Sequence, residues 1–170
     1  ILKTRFIDSY TKNKMVGIYD LNDNIIKEDE EEKLDKMVLK YVPNYDVVLV
    51  VDYGHGLITS KIVNTLEKQS KYLAVNTQLN SFNMGYHTIS KYTKADYVCV
   101  HEGELRNDFR NRHDSIEYLT KKLSERIKSE VITITRGKKG SFVHKGGGSL
   151  SCPAYANKVV DRVGAGDILL

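Results

Sequence analysis

The feature that most constrains the fold is a regular alternation of strand-like and helix-like segments across residues 46–135. The segment DVVLVVD (46–52) is a continuous run rich in β-branched residues, which is typical of a strand buried on both faces of a parallel sheet. Apolar residues at helical spacing follow it, and a helix is predicted over 60–69, beginning at Thr59 or Ser60. Further strand-like runs are KYLAVN (71–76), ADYVCV (95–100) and VITIT (131–135). This order predicts an α/β domain with a mostly parallel central sheet.

Another amphipathic helix is predicted just before VITIT. The apolar residues that recur there at helical spacing are Ile116, Leu119, Leu123 and Ile127. Asp114 and Glu117 are predicted to form a capping box at its start.

Both ends of the chain depart from the alternation. TRFIDSY and MVGIYDL flank the polar turn TKNK, which predicts an N-terminal antiparallel hairpin. A helix is predicted over about 29–41. Its predicted apolar face comprises Leu34, Met37, Val38 and Tyr41. Near the C-terminus, GSFVHK and LSCPAY predict a second hairpin, with Gly146–Gly148 as its tip rather than as a phosphate loop.

Composition excludes several classes of protein. The 170 residues suit one domain, and a net charge of +4 with both signs interspersed argues against a nucleic-acid partner. No run approaches 18 apolar residues, so no membrane span is expected. Cys99 and Cys152 lie far apart, without metal spacing, and a secreted disulfide framework is not indicated, so the cytoplasm is the default expectation. Cys99, within YVCV, is predicted to be a buried strand thiol. The five histidines show no zinc spacing, and most are predicted to lie at the surface.

The segment GAGD (164–167) follows a predicted strand and precedes apolar residues. Small residues let the backbone approach a ligand closely, and their N–H groups can converge on an anion, especially where a helix begins. An aspartate beside such a cradle could accept a proton from a hydroxyl during phosphoryl transfer. The tetrapeptide alone is equally compatible with a plain loop in which Asp167 caps a helix.

In its context, DRVGAGD (161–167) resembles the C-terminal signature of the ribokinase-like PfkB sugar kinases, D-[TS]-x-G-A-G-D. The resemblance implies that Gly164, Ala165 and Gly166 form the anion hole and that Asp167 is the catalytic base. Asp161 matches the leading aspartate, whereas Arg162 replaces the usual Thr or Ser. The family fold implies a three-layer α/β architecture.

Two further segments resemble the nucleotide side of this family. VITITRGKKGSFV (131–143) is similar to its strand-turn-strand unit, and the matching nucleotide-binding positions are Thr135, Arg136, Gly137 and Gly140. Without that context, TRGKKG reads as a basic hairpin turn. HEGE (101–104) stands where the family has N-x-x-E; Glu104 matches the glutamate that acts on magnesium through water, and His101 replaces Asn.

Three segments resemble the branch that contains the heptose-7-phosphate kinases. VVDYGHGL (50–57) is similar to S-D-Y-G-K-G, so Asp52, Gly54 and Gly56 are candidates for a substrate or phosphate loop, and His55 replaces Lys. Glycines after a buried strand lie where open α/β sheets bind ligands, although a tight βα turn also explains them. VNTQLNS stands in place of D-P-K-G, with Asn76 for Asp, and KTRF resembles a T-K-x-R strand.

The resemblance implies an ATP- and Mg²⁺-dependent kinase acting on a sugar or sugar phosphate. Residues 1–170 are then expected to be one partial kinase domain, lacking N-terminal substrate-binding segments and C-terminal helices, with 168–170 frayed and little activity alone. A non-catalytic ribokinase-like binding or assembly module is the alternative, and an unrelated Rossmann-like domain is a third. The free edge of the N-terminal hairpin suggests a homodimer.

Overall fold

The computed structural model describes residues 2–11, 13–22, 24–79 and 83–155. The strands are β1 Leu2–Ile7, β2 Lys14–Asp20, β3 Val48–Asp52, β4 Leu73–Thr77, β5 Tyr97–His101, β6 Val131–Thr135, β7 Ser141–Lys145 and β8 Gly148–Cys152. The helices are α1 Glu28–Tyr41, α2 Ser60–Gln69, α3 Glu102–Asp108 and α4 Ile116–Ile127. Short 3₁₀ turns span Val42–Asn44, Ile89–Lys91 and Gly137–Lys139.

Six strands form one sheet in the order β3-β4-β5-β6-β7-β8, and β1 pairs with β2 in a separate antiparallel hairpin. Strands β3 to β6 are parallel, whereas β7 and β8 are antiparallel. The predicted α/β class, the mostly parallel sheet and both hairpins are therefore confirmed. The β7–β8 turn consists of Gly146 and Gly147, both with positive φ, which confirms that this glycine run is a hairpin tip.

One hydrophobic core lies between the sheet and the helices. Parallel strands that follow one another across a sheet through right-handed crossovers place their connecting helices on the same face. The core residues obey this rule, because the strands contribute Val50, Val75, Val98 and Ile132 from one face, opposite residues of all four helices. The described residues thus supply the sheet and one helical layer.

The prediction that DVVLVVD is buried on both faces is wrong for β3. Leu49 and Val51 are 58% and 39% exposed, whereas Val50 and Asp52 are buried. The reason is that β3 is an edge strand and that the described helices cover only the face of Val50. In β4, one strand further in, all five residues are buried.

Two helix predictions need correction. On α1, Leu34 and Val38 pack against the core, but Met37 and Tyr41 are exposed because α1 lies at the periphery, over α2. The cap of α4 is Ser115, whose side chain accepts a hydrogen bond from the Tyr118 N–H, and not Asp114. By contrast, α2 has the predicted bounds, and Thr59 is its capping residue.

Of the helices in the described segments, none combines the length and apolar character needed to cross a membrane. Cys99 is fully buried, as predicted, and burial raises the pKa of its thiol to about 11. Of the five histidines, His101 and His113 are exposed and His55 is partly buried, whereas His87 and His144 are buried.

Candidate active site at the carboxyl edge of the sheet

The four parallel strands end at one edge of the sheet, and most of the predicted site residues lie there. Asp52 ends β3, Asn76 is the penultimate residue of β4, and Thr135 ends β6 opposite His101 in register. Glu104 lies in the first turn of α3, directly after β5. The predicted residues of DRVGAGD, from Asp161 to Asp167, and the segment 168–170 lie outside the described residues.

A loop of residues 53–57, here called the 53–57 loop, connects β3 to the start of α2. Gly54 and Gly56 have φ values of 70° and 77°, a region that residues with a side chain adopt only under strain. A Cβ on Gly54 would lie 2.5 Å from the His87 ring, and one on Gly56 would lie 2.3 Å from the Asn24 carbonyl oxygen. Both glycines are therefore required by the backbone conformation and by close neighbours.

Asp52 supports this loop from the core side. Its side chain is 3% exposed, and Oδ2 accepts hydrogen bonds from Lys91 Nζ at 2.6 Å and from the Tyr92 hydroxyl at 2.9 Å. Its Oδ1 accepts a hydrogen bond from the Gly54 N–H at 3.0 Å. With these donors in place, Asp52 holds the loop and is not itself open to a ligand.

A cavity of about 700 Å³ lies beside the 53–57 loop. The residues of its wall that matter here are Gly54, Gly56, Lys61, Asn83, His87 and Lys91. Burial lowers the pKa of His87, although Asp52 acts in the opposite direction, so its imidazole is held neutral. The sequence singled out the two glycines but missed Asn83, His87 and Lys91, because polar residues in an irregular segment carry no periodic signal.

Asn76 faces away from Asp52, on the face opposite the helices, since it pairs in register with Val51. Its Nδ2 donates a hydrogen bond to the Cys99 carbonyl oxygen at 2.8 Å. Its Oδ1 is buried and has no hydrogen-bond partner among the described residues. Asp52 and Asn76 therefore lie on opposite faces of the sheet.

Glu104 joins the ends of β4 and β5. Its Oε2 accepts a hydrogen bond from the His101 N–H at 2.6 Å, and its Oε1 accepts one from the Leu79 N–H at 2.9 Å. Burial raises the pKa of Glu104, although these hydrogen bonds act in the opposite direction. His101 Nδ1 accepts a hydrogen bond from the Gly103 N–H at 3.0 Å, so the imidazole caps α3 as an asparagine oxygen would.

The turn between β6 and β7 is held by its own backbone and by one ion pair. The Arg136 N–H donates to the Gly140 carbonyl oxygen at 2.8 Å, and Arg136 Nε lies 3.0 Å from Glu102 Oε2. Burial alone would raise the pKa of Glu102, but Arg136 and Arg106 together lower it. Gly137 and Gly140 both have positive φ. The Glu102 ion pair occupies the Arg136 side chain, whereas the Lys138 and Lys139 side chains of this turn are exposed.

The strand order and the parallel crossovers define the class as a ribokinase-like α/β fold, and solved structures agree. The tetrameric inhibited form of phosphofructokinase-2 from Escherichia coli superposes with a TM-score of 0.76 at 12% identity, covering 97% of this chain and 54% of that one. Ribokinase from Thermotoga maritima gives a TM-score of 0.63 at 17% identity, covering 98% and 52%.

The family described as "pfkB family carbohydrate kinase" matches residues 21–169, and the chain belongs to this family. It is similar to the bifunctional protein HldE of Hydrogenovibrio crunogenus, with 25% identity over 154 residues, 87% of this chain and 30% of the relative. The HldE of Desulfatibacillum aliphaticivorans is 27% identical over 173 residues, 99% of this chain and 34% of the relative. The chain thus spans about a third of the length of these curated relatives.

These matches confirm the family predicted from the sequence motifs, and the HldE relatives agree with the predicted branch. The alternative of a Rossmann-like domain unrelated to kinases is excluded.

Proposed function

We propose that the protein is an ATP-dependent kinase that phosphorylates a hydroxyl group of a sugar or sugar phosphate. The observation that carries the proposal is the match to the pfkB family over residues 21–169, which includes DRVGAGD (161–167). The fold supports it, because open α/β sheets bind ligands at the carboxyl ends of their strands. The predicted site residues among those described lie at or just after that edge.

On the acceptor side, the sugar occupies the cavity beside the 53–57 loop. The loop contributes backbone rather than side chains at Gly54 and Gly56, which lets a ligand approach closely. Lys61 lies on the cavity wall and is exposed, so a cationic group is available to an acidic substituent such as a phosphate.

On the nucleotide side, ATP lies along the turn formed by Thr135, Arg136, Gly137 and Gly140, with Glu104 close to its phosphates. Each Glu104 oxygen accepts one backbone N–H and keeps a lone pair for water. Among the residues described, no group of three acidic, histidine or cysteine side chains could hold a metal ion. A single carboxylate that acts through water, such as Glu104, suits Mg²⁺, because this ion usually retains several waters and is bound mainly through substrate phosphates.

In the proposed reaction, Asp167 takes the proton from the acceptor hydroxyl, the hydroxyl oxygen attacks the γ-phosphorus of ATP, and the bond to the ADP oxygen breaks. The backbone N–H groups of Gly164, Ala165 and Gly166 stabilise the charge on the phosphoryl group as it is transferred. Mg²⁺, when bound, neutralises charge on the β- and γ-phosphates. Positioning by the sheet edge and electrostatic stabilisation supply most of the rate enhancement.

The test is ADP production by the natural gene product with a panel of sugars and sugar phosphates, beside its Asp167→Asn variant. We expect turnover with at least one acceptor and a loss of about 10²- to 10⁴-fold in kcat for the variant, the range for a general base. ATP binding, measured by calorimetry, should remain. A wild-type protein that binds ATP but phosphorylates no acceptor would support the non-catalytic alternative. An Asp167→Asn variant with normal turnover would refute the assignment of the base.

A further inference from the structure

Lys91 contacts the chain on both sides of the 53–57 loop. Its Nζ lies 2.6 Å from Asp52 Oδ2, immediately before the loop, and it donates a hydrogen bond to the carbonyl oxygen of Ile58, immediately after it. Asp52 ends β3 and Ile58 precedes the cap of α2. The Lys91 ammonium group therefore links Asp52 and Ile58, the residues that flank the 53–57 loop.

The segment that carries Lys91 touches the loop at several other places. His87 Nε2 lies 3.1 Å from the Asp52 carbonyl oxygen, and because a carbonyl only accepts, this nitrogen carries the proton. Asn83 Nδ2 donates to the Tyr53 carbonyl oxygen at 2.9 Å. The His87 ring and the Asn83 amide also occupy the space that a side chain at Gly54 would need. Asn83, His87 and Lys91, all in the connection from β4 to β5, therefore contact the 53–57 loop or Asp52 just before it.

Among these contacts, Lys91 is the residue that compensates the charge of Asp52. Asp52 is almost fully buried, and a buried carboxylate is costly unless a cation and hydrogen bonds compensate it. Lys91 is the cation in direct contact, since its side chain is 23% exposed and its Nζ reaches Oδ2. His87 is held neutral by burial and supplies a hydrogen bond rather than a charge.

We infer that Lys91 is a positioning residue for acceptor binding, acting through the backbone of the 53–57 loop. Glycines have no side chain with which to hold their own conformation, so Gly54 and Gly56 depend on contacts from outside the loop. The inference rests on the proposed function, in which the cavity beside these glycines takes the acceptor. It makes the β4–β5 connection, and not only the loop itself, a determinant of which acceptor is bound.

The experiment compares wild-type protein with Lys91→Met and with Lys94→Met as a matched control. Methionine keeps most of the length of the lysine stem but lacks the ammonium group, and Lys94 is an exposed lysine three residues further along. For Lys91→Met we expect hydrogen exchange in residues 53–58 to accelerate by about tenfold or more, the effect of losing hydrogen bonds to a charged group. In Lys91→Met the KM for the acceptor should also rise by about tenfold, while the KM for ATP stays within about twofold of the wild-type value. In Lys94→Met, both the hydrogen exchange of residues 53–58 and the acceptor KM should stay within about twofold of wild type.

The double variant Asp52→Asn with Lys91→Met separates positioning from general stability. Removing both charges leaves no uncompensated carboxylate, so we expect the double variant to recover much of the lost stability. Its loop should still exchange rapidly and its acceptor KM should stay high, because the link to Ile58 is absent. Recovery of a protected loop and a normal KM in the double variant would overturn the inference.

Hydrogen exchange needs no substrate, so failure of the inference and failure of the proposed function can be distinguished. If the hydrogen exchange of residues 53–58 is the same in Lys91→Met as in wild type, the inference is overturned, whatever the activity. A mobile loop with an unchanged acceptor KM overturns it as well, because the loop would not position the acceptor. A wild-type protein that phosphorylates no acceptor refutes the proposed function, and with it the acceptor role of Lys91, even where exchange shows that Lys91 holds the loop.

Discussion

Replacing Gly140 with alanine is expected to lower the free energy of unfolding far more than the same change at Gly137, three residues earlier in the same turn. Gly140 has φ 82° and ψ −137°, a region that is nearly exclusive to glycine. A Cβ there would lie 1.9 Å from the Cys152 carbonyl oxygen and 2.7 Å from the carbonyl carbon of Pro153. Both neighbours are backbone atoms at the end of β8, so no side-chain rotation relieves the overlap.

The size of the effect follows from two costs. Holding a non-glycine residue in such a region costs about 1–3 kcal/mol. Relieving the overlap means separating Cys152 from its register partner Ser141, which sacrifices one or two hydrogen bonds at about 1 kcal/mol each. We therefore expect a total of about 2–5 kcal/mol for Gly140→Ala. Gly137 has φ 55°, and no atom of the described residues lies within 4 Å of the position that a Cβ would take, so Gly137→Ala should cost only about 1–2 kcal/mol.

Equilibrium urea unfolding followed by circular dichroism measures this difference. With a slope of about 2 kcal/mol per molar urea, the midpoint should fall by about 1–2.5 M for Gly140→Ala and by about 0.5–1 M for Gly137→Ala. Equal shifts for the two variants would refute the reasoning, because they would show that backbone conformation alone, and not the contact with β8, sets the cost.

Three other changes test separate parts of the structure. Ser115→Ala should destabilise α4 by about 1 kcal/mol in thermal unfolding, and Asp114→Ala by less, since Ser115 is the cap. Leu123→Ala, at a fully buried position, should cost about 2–5 kcal/mol, whereas Leu39→Ala, at a 47% exposed one, should cost little; equal losses would contradict the assigned core. Burial lowers the pKa of His87 from its usual 6.5, so its contribution to stability is complete above that pH and is lost as the pH falls through the lower folded value. His87→Gln should flatten the fall in unfolding free energy as the pH drops below 6.5, and an unchanged profile would contradict this.

Local sequence patterns were sufficient to predict the bounds of helices and strands whose apolar residues recur at regular spacing. The bounds of α2 and β6 match their predictions because a helix or strand with one continuous apolar face is specified by residues close in sequence. The edge position of β3 was not predictable from DVVLVVD, because a β-branched run looks the same whether one face or both are covered. The cap of α4 was missed because Asp114 and Ser115 are both good capping residues, and only the backbone decides between them.

The sequence by itself was enough to predict the family, since DYGHG, HEGE and DRVGAGD resemble its motifs, and the family match over residues 21–169 confirms that prediction. Only the tertiary structure decided what Asp52 does. Its donors Lys91 and Tyr92 lie 39 and 40 residues further along the chain and reach it through the packing of the β4–β5 connection against the 53–57 loop. The role of a carboxylate depends on which donors reach it and on how much water remains, and both are properties of packing that no local pattern encodes.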